Sequence, residues 1–217
     1  MTIYTNSGLA MTMQSAEAAA KTITSITNAA PGVVGITGHG YSNGDIVLLE
    51  VEGMIELNKR PFEVANVATD TLQLVGPDGT TGLDTTNFGA FVSGTAKKIT
   101  LGTSITGVQG FSSSGGDIKF ADSTTVQDLI DKQIVAGANA LSYSLQMQWD
   151  PASAGQQAMK TAFETRASRV FKIAWPSGAY AMWYGSVGYN GAPGGDKQGI
   201  TTTSAAITAE GNLTMAA

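Results

Sequence analysis

The sequence predicts a mainly β protein with one short α-helix and a small additional β sandwich or barrel. Three observations lead to this fold class. Polar and apolar residues alternate strictly from Ser142 to Trp149, and a period of two is typical of a strand with one buried face. Short apolar runs separated by turn signals fill residues 21–76, as in a small sandwich or barrel. Charged residues make up only 13% of a chain with 27 glycines, which favours β structure with many turns.

The first part of the chain divides into a short lead-in and a segment rich in strands. The lead-in predicts a strand at Thr2–Tyr4, and the Ala-rich stretch that follows it favours a brief helix. Strands are then predicted at Ile46–Val51, Phe62–Val67 and Thr71–Val75, with turns such as Asn43-Gly44 between them. Residues 77–90 are a polar connector rich in Gly and Thr. We interpret residues 21–92 as an inserted β domain with its connector, and residues 1–20 and 93–217 as the core.

The middle of the chain predicts a long functional loop. After a strand within Phe91–Gly102, residues 109–123 have the composition of a mobile loop. Residues 124–134 then favour a short helix, because Val126, Leu129 and Ile130 fall on one helical side. Long loops in compact domains are uncommon and often functional.

The last third predicts a strand, a helix, a hairpin and a closing strand. Asp150-Pro151 ends the alternating strand, and Ser153 with Gln156 predicts a capping box at the start of a helix. Strands at 170–175 and 179–189 form a hairpin around a Pro-Ser-Gly turn, 200–209 is the final strand, and the tail shows no apolar periodicity. Large apolar side chains of this region are predicted to form the core, because aromatic residues supply much of a core's buried area. They are Trp149, Met159, Phe163, Phe171, Trp175 and Trp183.

Composition argues against several classes of protein. The chain has no Cys, so it has no disulfide and no thiolate metal site. No apolar run approaches the ~20 residues of a membrane span, and the first residues lack the features of a signal peptide, so we expect synthesis and assembly in a cytoplasm. A net charge of −5 disfavours nucleic-acid binding but suits a container for nucleic acid, because like charges repel.

One short motif suggests a hydrolase. Residues 40–44 fit the pattern G-x-S-x-G, and His39, the only histidine, stands beside them. A nucleophile elbow needs a strand before the serine and a helix after it, whereas an apolar β run follows here. The motif is better explained as a turn between strands. Asp78 and Asp84 likewise lack the alternation of a calcium loop. We therefore predict no enzyme and no catalytic, cofactor-binding or metal-binding residues.

A series of motifs in the last third resembles a known family. The alternating strand is followed by Trp149-Asp150-Pro151, Gly155-Gln156-Gln157, Phe171-Lys172-Ile173, Pro176-Ser177-Gly178 and Trp183-Tyr184-Gly185, and a Thr-rich strand ends in Gly211-Asn212. In this order they resemble the tail tube proteins of long non-contractile-tailed bacteriophages of the lambda-like type. The HGYSNGD run at 39–45 and the EVEG run at 50–53 look like the small β module often inserted near the front of such proteins.

The resemblance implies a structural protein of the virion, with a fold of two packed β-sheets plus one short α-helix and a small inserted β-barrel domain. Six copies would form a ring, rings would stack into a tail tube, and the inner sheets would join around a channel through which DNA passes on ejection without specific binding. The implied partners are further copies of the chain, the tail terminator and tail tip proteins, and the tape measure protein inside the tube. No membrane is involved. The tube would be assembled in the host cytoplasm and would belong to the phage tail.

The resemblance also points to two sets of residues. Polar residues of the alternating strand and the closing strand are expected to face the lumen. However, antiparallel sheets with one solvent-exposed face are also normal in ordinary sandwiches. They are Ser142, Ser144, Gln146, Gln148, Thr202, Ser204 and Thr208. The loop matching residues 110–140 is expected to order between rings, with Phe111, Ser112, Asp117, Lys119 and Asp122 as contact residues.

Two other classes of function stay open at this point. A virion decoration protein or a carbohydrate-binding β-domain would be a soluble monomer, with a thermal shift on binding sugar. A secretion-system tube protein would share the ring architecture but usually lacks an inserted module of this kind.

Overall fold

The structure is a computed structural model that describes Thr5 and residues 7–217, so the predicted strand Thr2–Tyr4 lies outside the described residues. The predicted class, mainly β with one short α-helix and two large antiparallel sheets, is confirmed. The first nine strands are β1 (Ala10–Met13), β2 (Ala16–Glu17), β3 (Lys21–Thr22), β4 (Ser25–Ile26), β5 (Val33–Gly35), β6 (Ile46–Glu52), β7 (Arg60–Ala65), β8 (Thr71–Leu74) and β9 (Ser93–Thr100). The others are β10 (Thr103–Ser104), β11 (Val108–Ser114), β12 (Ile118–Asp122), β13 (Gln133–Ala138), β14 (Ser142–Gln148), β15 (Arg169–Ala174), β16 (Tyr180–Gly188), β17 (Thr202–Ala209) and β18 (Thr214–Ala216). The helix α1 covers Ala154–Glu164, and a 3₁₀ turn covers Ile55–Leu57.

The main sheet has the order β10-β1-β15-β16-β17-β14-β11, and β18 also pairs with β16. Its two end strands follow each other in the chain with only residues 105–107 between them, so the sheet curls around one core. Trp183 lies at the centre of this core, with its ring stacked on Tyr143 and Phe171. The helix α1 packs into the same core through Met159 and Ala162.

The second sheet closes into a small barrel in the order β9-β6-β7-β8-β5-β4. Closure comes from the bent segment 16–26, which pairs with β9 at its start and β5 at its end. The segment changes its pairing partner between two successive residues. Ile23 N–H donates to Gly94 O of β9, and Thr24 N–H donates to Gly35 O of β5. The barrel holds its own apolar core, which includes Phe62.

Sheet membership moves the expected boundary between the core and the inserted β domain. The prediction placed residues 1–20 and 93 onwards in the core, yet β2 and β9 both belong to the small barrel. The reason is pairing, because β9 lies antiparallel to β6 from Ser93↔Glu52 to Ile99↔Ile46. The small barrel therefore extends from Ala16 to Thr100.

The two sheets share buried side chains. Strand β6 is apolar on both faces: Val47 and Leu49 point into the small barrel, while Leu48 packs against Val170 of the main sheet. Val75 from the small barrel likewise contacts Met182 of β16. The continuous apolar run at residues 46–49 is therefore that of a strand buried on both sides.

Two predicted helices are wrong. The Ala-rich stretch that follows Thr2–Tyr4 contains β1 and β2 instead, because Met11 and Met13 alternate into the core while β1 pairs with β15 and β2 pairs with β9. Residues 124–134 make turns and the start of β13 instead of a helix, because the apolar side chains that would support a helix have no surface to pack on. Val126 and Leu129 are fully exposed.

The predicted loop and the tail contain strands. Residues 109–123 form most of β11 and all of β12, and β12 pairs with β13 as a hairpin. Only residues 123–132 form the irregular tip between these two strands. In the tail, Thr214–Ala216 adds the short strand β18 to the edge of β16.

The expected core residues divide into two groups. Met159, Phe171 and Trp183 lie in the main core and Trp175 packs against it in part, whereas Trp149 and Phe163 are 36% and 43% exposed, so their assignment to the core is wrong. Trp149 lies one residue beyond the end of β14, where the sheet no longer encloses it. Its Nε1–H donates to Gly191 O at 3.1 Å.

The start of α1 also differs from the prediction. Ser153 is the N-cap residue, but its side chain makes no capping hydrogen bond. Gln156 turns to the preceding strand instead, where Nε2 donates to Gln148 O and Oε1 accepts from the N–H of Asp150. The amide thereby fastens the helix to the end of β14.

Candidate functional site

The outward face of the main sheet is divided into two halves. The bare half consists of the outward residues of β11, β14, β17 and the last part of β16. All seven residues predicted to face a lumen lie on it, because β14 and β17 pair in register: Ser142↔Thr208, Ser144↔Ala206, Gln146↔Ser204 and Gln148↔Thr202. The structure thus brings the two predicted groups together on one surface.

The bare half continues onto strands that the sequence prediction left out. Ser112 and Ser114 of β11 lie opposite Ser144 and Ser142, and Ser186 of β16 lies opposite Thr208. Every outward side chain here is a hydroxyl, an amide, Ala or Gly, so this part of the described structure carries no charge. A sequence signal was present only for the last part of β16, where buried and exposed positions alternate, because β11 reads VQGFSSS and has no period of two.

The covered half consists of the outward residues of β15, β18 and the first part of β16. Here the same face is apolar apart from Lys172 and Thr214 and lies under the small barrel, with Val170 and Met182 fully buried and Ala216 4% exposed. Polar contacts surround the apolar patch. Arg60 Nε donates to Thr214 Oγ1 at 2.9 Å, and burial lowers the pKa of Arg60.

A second polar contact joins the small barrel to β15 and β16. Lys172 Nζ lies 4.1 Å from the centre of the Tyr180 ring and 4.0 Å from Glu63 Oε2. Burial, followed by the negative charge of Glu63, raises the pKa of the Tyr180 hydroxyl. The cation on Lys172 thus lies between an aromatic face and a carboxylate from the small barrel.

Glu210 marks the border between the two halves. Lys59 of the small barrel donates to Glu210 Oε2 at 2.6 Å, and Ser168 and Ser186 donate to Oε1. Partial burial acts to raise the pKa of Glu210, but the hydrogen bonds from Lys59 and the two serines outweigh it and lower the pKa. The next residue, Gly211, has no room for a side chain, because an added Cβ would lie 2.4 Å from Lys59 O. The border therefore locks the small barrel to the end of β17.

The hairpin β12–β13 is the other unusual surface. All but one of its strand residues are exposed, and Ala121 is half-buried. Large apolar side chains are nevertheless concentrated on it. They are Ile118, Phe120, Ile134 and Val135 on the strands and Val126, Leu129 and Ile130 at the tip. Exposed apolar patches of this kind mark surfaces that contact other molecules.

The residues expected in the inter-ring loop lie in two places. Lys119 and Asp122 belong to the hairpin and Asp117 to its base, which is where residues of a loop that contacts a neighbouring ring are expected. Phe111 and Ser112 belong to β11, where Phe111 packs against the main core and Ser112 is on the bare half. Those two residues are therefore part of the sheet.

The G-x-S-x-G motif does not form a nucleophile and base. The ring of His39 is buried, its Nδ1 accepts the N–H of Tyr41, and its Nε2–H donates to Ala68 O. Both nitrogens are engaged by the backbone, so neither is available to take a proton from Ser42. The segment is a turn before β6, as the sequence favoured.

Metal and membrane features are also absent from the described part of the chain. No group of three or more His, Cys, Asp or Glu residues could hold a metal ion in Thr5 or residues 7–217. Asp78 and Asp84 accept hydrogen bonds from the threonines that follow them, which is a turn-forming role. Within the same residues, no helix is both long and apolar enough to cross a bilayer.

A β subunit with a long uncharged face and an apolar hairpin without a core of its own has the features of a self-assembling structural protein. The family model of the phage tail tube protein, TTP, matches residues 52–217, and the chain belongs to this family. No curated protein matches the sequence. The chain is therefore a structural subunit of a phage tail tube. It self-assembles, and its place is the tail of the virion.

The matched region starts at the end of β6 and includes β7, β8 and β9 of the small barrel. It also contains the complete bare half and the hairpin. Both candidate surfaces thus lie in the part of the chain that defines the family.

Proposed function

We propose that six copies close into a ring, that rings stack into the tail tube, and that the bare half lines the channel through which DNA passes on ejection. The observation that carries this proposal is the absence of charge on the bare half, four strands wide. A wall of hydroxyl and amide groups interacts weakly with phosphates, because strong binding to DNA depends on Lys and Arg. The position of the small barrel also supports the proposal, since it covers the other half and so leaves only the bare half open to a channel.

The hairpin supplies the contact between rings. Its tip presents Val126, Leu129 and Ile130 to solvent, and these side chains gain from burial only when another copy covers them. The tip is already partly ordered, because Asp128 accepts from Thr125 and forms an ion pair with Lys132. Asp117, Lys119 and Asp122 flank the apolar surface and add polar contacts.

Other partners follow from a closed stack of rings. A tail terminator and a tail tip protein would cover the two ends of the stack, where the ring surfaces would otherwise stay open. A tape measure protein would occupy the channel before DNA does, against the same uncharged wall. Assembly would take place in the host cytoplasm.

Negative-stain electron microscopy of the purified protein tests the ring and the tube. We expect hollow tubes, and end views with six-fold symmetry. Single subunits at every protein concentration, or filaments without a channel, would contradict the proposal.

A triple variant tests the tip. Val126→Ser, Leu129→Ser and Ile130→Ser together should leave folded subunits and single rings but no stacked tubes. The matched control is Ile55→Ser with Val92→Ser, two exposed apolar residues of the small barrel, which should still give tubes. Tubes of normal length from the triple variant would rule out the tip as the contact between rings.

A further inference from the structure

An open cavity with both apolar and polar lining residues lies where β15 stops flanking β16. The cavity, of about 480 Å³, separates the end of α1 from the last part of β16. The residues that line it are Ala162, Phe163, Glu164, Arg166, Ser186 and Val187. The Phe163 ring borders this cavity and is 43% exposed to solvent.

The exposure of Phe163 results from a missing strand. Gln156, Met159 and Phe163 follow one another at intervals of three and four, so Phe163 continues the buried stripe of the helix. However, β15 starts at Arg169, and its pairing with β16 ends at Gly185. From Ser186 onwards this edge of β16 has no neighbouring strand among the described residues, and Phe163 is left partly open to solvent.

The hairpin β12–β13 carries a complementary apolar face. Phe120 pairs with Val135 and Ile118 pairs with Ala138, so these four side chains lie on one face of the hairpin. Each of the three larger ones is more than half exposed. A two-stranded hairpin is marginally stable alone and requires a surface to pack on.

The hairpin and the cavity belong to opposite edges of the bare half. In the order β11-β14-β17-β16, the hairpin follows β11 at one edge and the Phe163 cavity borders β16 at the other. Two different patches at opposite edges make a head-to-tail contact, which closes into a ring when the rotation divides the circle. A self-complementary contact between identical patches would stop at a dimer.

The charges of the two surfaces are also complementary. Residues 117–138 contain four Asp and two Lys, which gives the hairpin a net charge of −2. At the cavity, Glu164 is paired with Lys160 at 3.9 Å, whereas Arg166 and Arg169 form no ion pair with any described residue. Asp122 lies on the same hairpin face as Phe120, and it can reach a guanidinium at the rim.

We propose that the cavity beside Phe163 is the receptor for the hairpin of the next copy in the same ring, with Ile118 and Phe120 filling it and Asp122 facing Arg166. This inference rests on the proposed function, because it assumes a ring with the bare half inside. It gives the strands of the hairpin a partner beside them and leaves the tip free for the next ring.

Cross-linking tests the contact directly, because the chain has no cysteine of its own. Glu164→Cys at the cavity and Gln133→Cys beside Asp122 on the hairpin leave Phe163 and Phe120 in place. The two variants are made in separate proteins, mixed under conditions of assembly and treated with a short bis-maleimide. We expect a covalent dimer in the mixture and none with either protein alone. The control replaces Gln133→Cys by Val92→Cys on the small barrel, and it should give no dimer.

The outcomes separate this inference from the proposed function. If rings form in the mixture but only the control pair, or neither pair, cross-links, the hairpin does not dock at Phe163 and the inference fails while the ring stands. If no rings form from the unmodified protein at any concentration, the proposed function itself fails.

Substitution of Phe163 gives a second readout. Phe163→Ser should weaken ring formation by about tenfold or more, while Phe163→Leu should retain it, because burial of an anchor residue contributes much of an interface. The urea midpoint of the unassembled Phe163→Ser subunit should stay close to the parent value. A large drop in that midpoint, or normal rings from Phe163→Ser, would overturn the inference.

Discussion

The two halves of the main sheet differ although they belong to the same sheet and the same face, and although β16 runs through both. On the covered half, Val170 and Met182 point outward and are fully buried under the small barrel. On the bare half, Ser144 and Gln146 point outward in the same pleat and are exposed. The comparison shows that one sheet face can be part of a core at one end and a solvated wall at the other. What decides between these roles is which half the small barrel covers.

Placing the same charge on each half tests most strongly whether the two halves are different environments. Met182→Asp places an unpaired carboxylate in a fully buried site, and we expect it to lower the free energy of unfolding by roughly 4 kcal/mol or more. Ser144→Asp, the same charge on the bare half, should change it by less than about 0.5 kcal/mol. Urea unfolding of the unassembled subunit measures both. Equal losses in the two variants would mean that the halves are not different environments.

The border between the halves provides a smaller and pH-dependent effect. Glu210→Gln removes the charge that accepts from Lys59, and we expect a loss of about 1 kcal/mol at pH 7. The pKa of Glu210 is lowered in the folded protein, so its stabilisation is present above the ordinary value of 4.5 and is lost as the pH falls through the folded pKa. The difference in urea midpoint between parent and variant should therefore shrink as the pH is lowered from 7 to below 4.5.

The matched control for this border is Glu164→Gln on the surface of α1. Its partner Lys160 lies 3.9 Å away and both side chains are more than half exposed, so the effect should stay below about 0.5 kcal/mol at either pH. A loss for Glu210→Gln that persists undiminished at low pH would show that shape, rather than charge, holds the border.

Lysines on the bare half should have the smallest effect on the stability of the subunit but a large effect on how the assembled tube interacts with DNA. Gln146→Lys with Ser204→Lys places two cations on neighbouring positions of the bare half, and both sites are exposed, so folding should be nearly unchanged. Assembled tubes of this variant should bind DNA in a salt-dependent manner, because each bound phosphate releases a counterion. Filter binding at two salt concentrations measures this. The control is Gln146→Asn with Ser204→Thr, and DNA binding equal in both variants would place these residues outside the channel.

The joint between the sheets changes the expectation for the small barrel. Its ends do lie side by side, since Ala16 pairs with Thr100, which is the condition for a removable insertion. Removing it would nevertheless uncover Val170, Met182 and Ala216 on the main sheet. We therefore expect that the main sheet does not fold well without the small barrel.

Periodicity in the sequence predicted burial correctly wherever the apolar face of a strand or helix packs against other parts of the same subunit. The alternation at Ser142–Trp149 identified β14 and its wet face, and the spacing in α1 correctly placed Met159 in the core. The same spacing failed for Phe163, because the helix period says which side a residue is on and not whether anything covers that side. The helix predicted from Val126, Leu129 and Ile130 was wrong for the same reason, because a helical pattern forms a stable helix only when its apolar side has a surface to pack against.

The sequence by itself determined the β class, most strand positions, the position of α1 and the uncharged face, because period, turn residues and scarce charge act over a few neighbouring residues. Only the tertiary structure decided that β9 joins the small barrel, that this barrel covers half of the main sheet, and that Phe163 and the hairpin are left open. Those features depend on pairing and packing between residues far apart in the chain, and no local pattern encodes which distant surface will cover a given side chain.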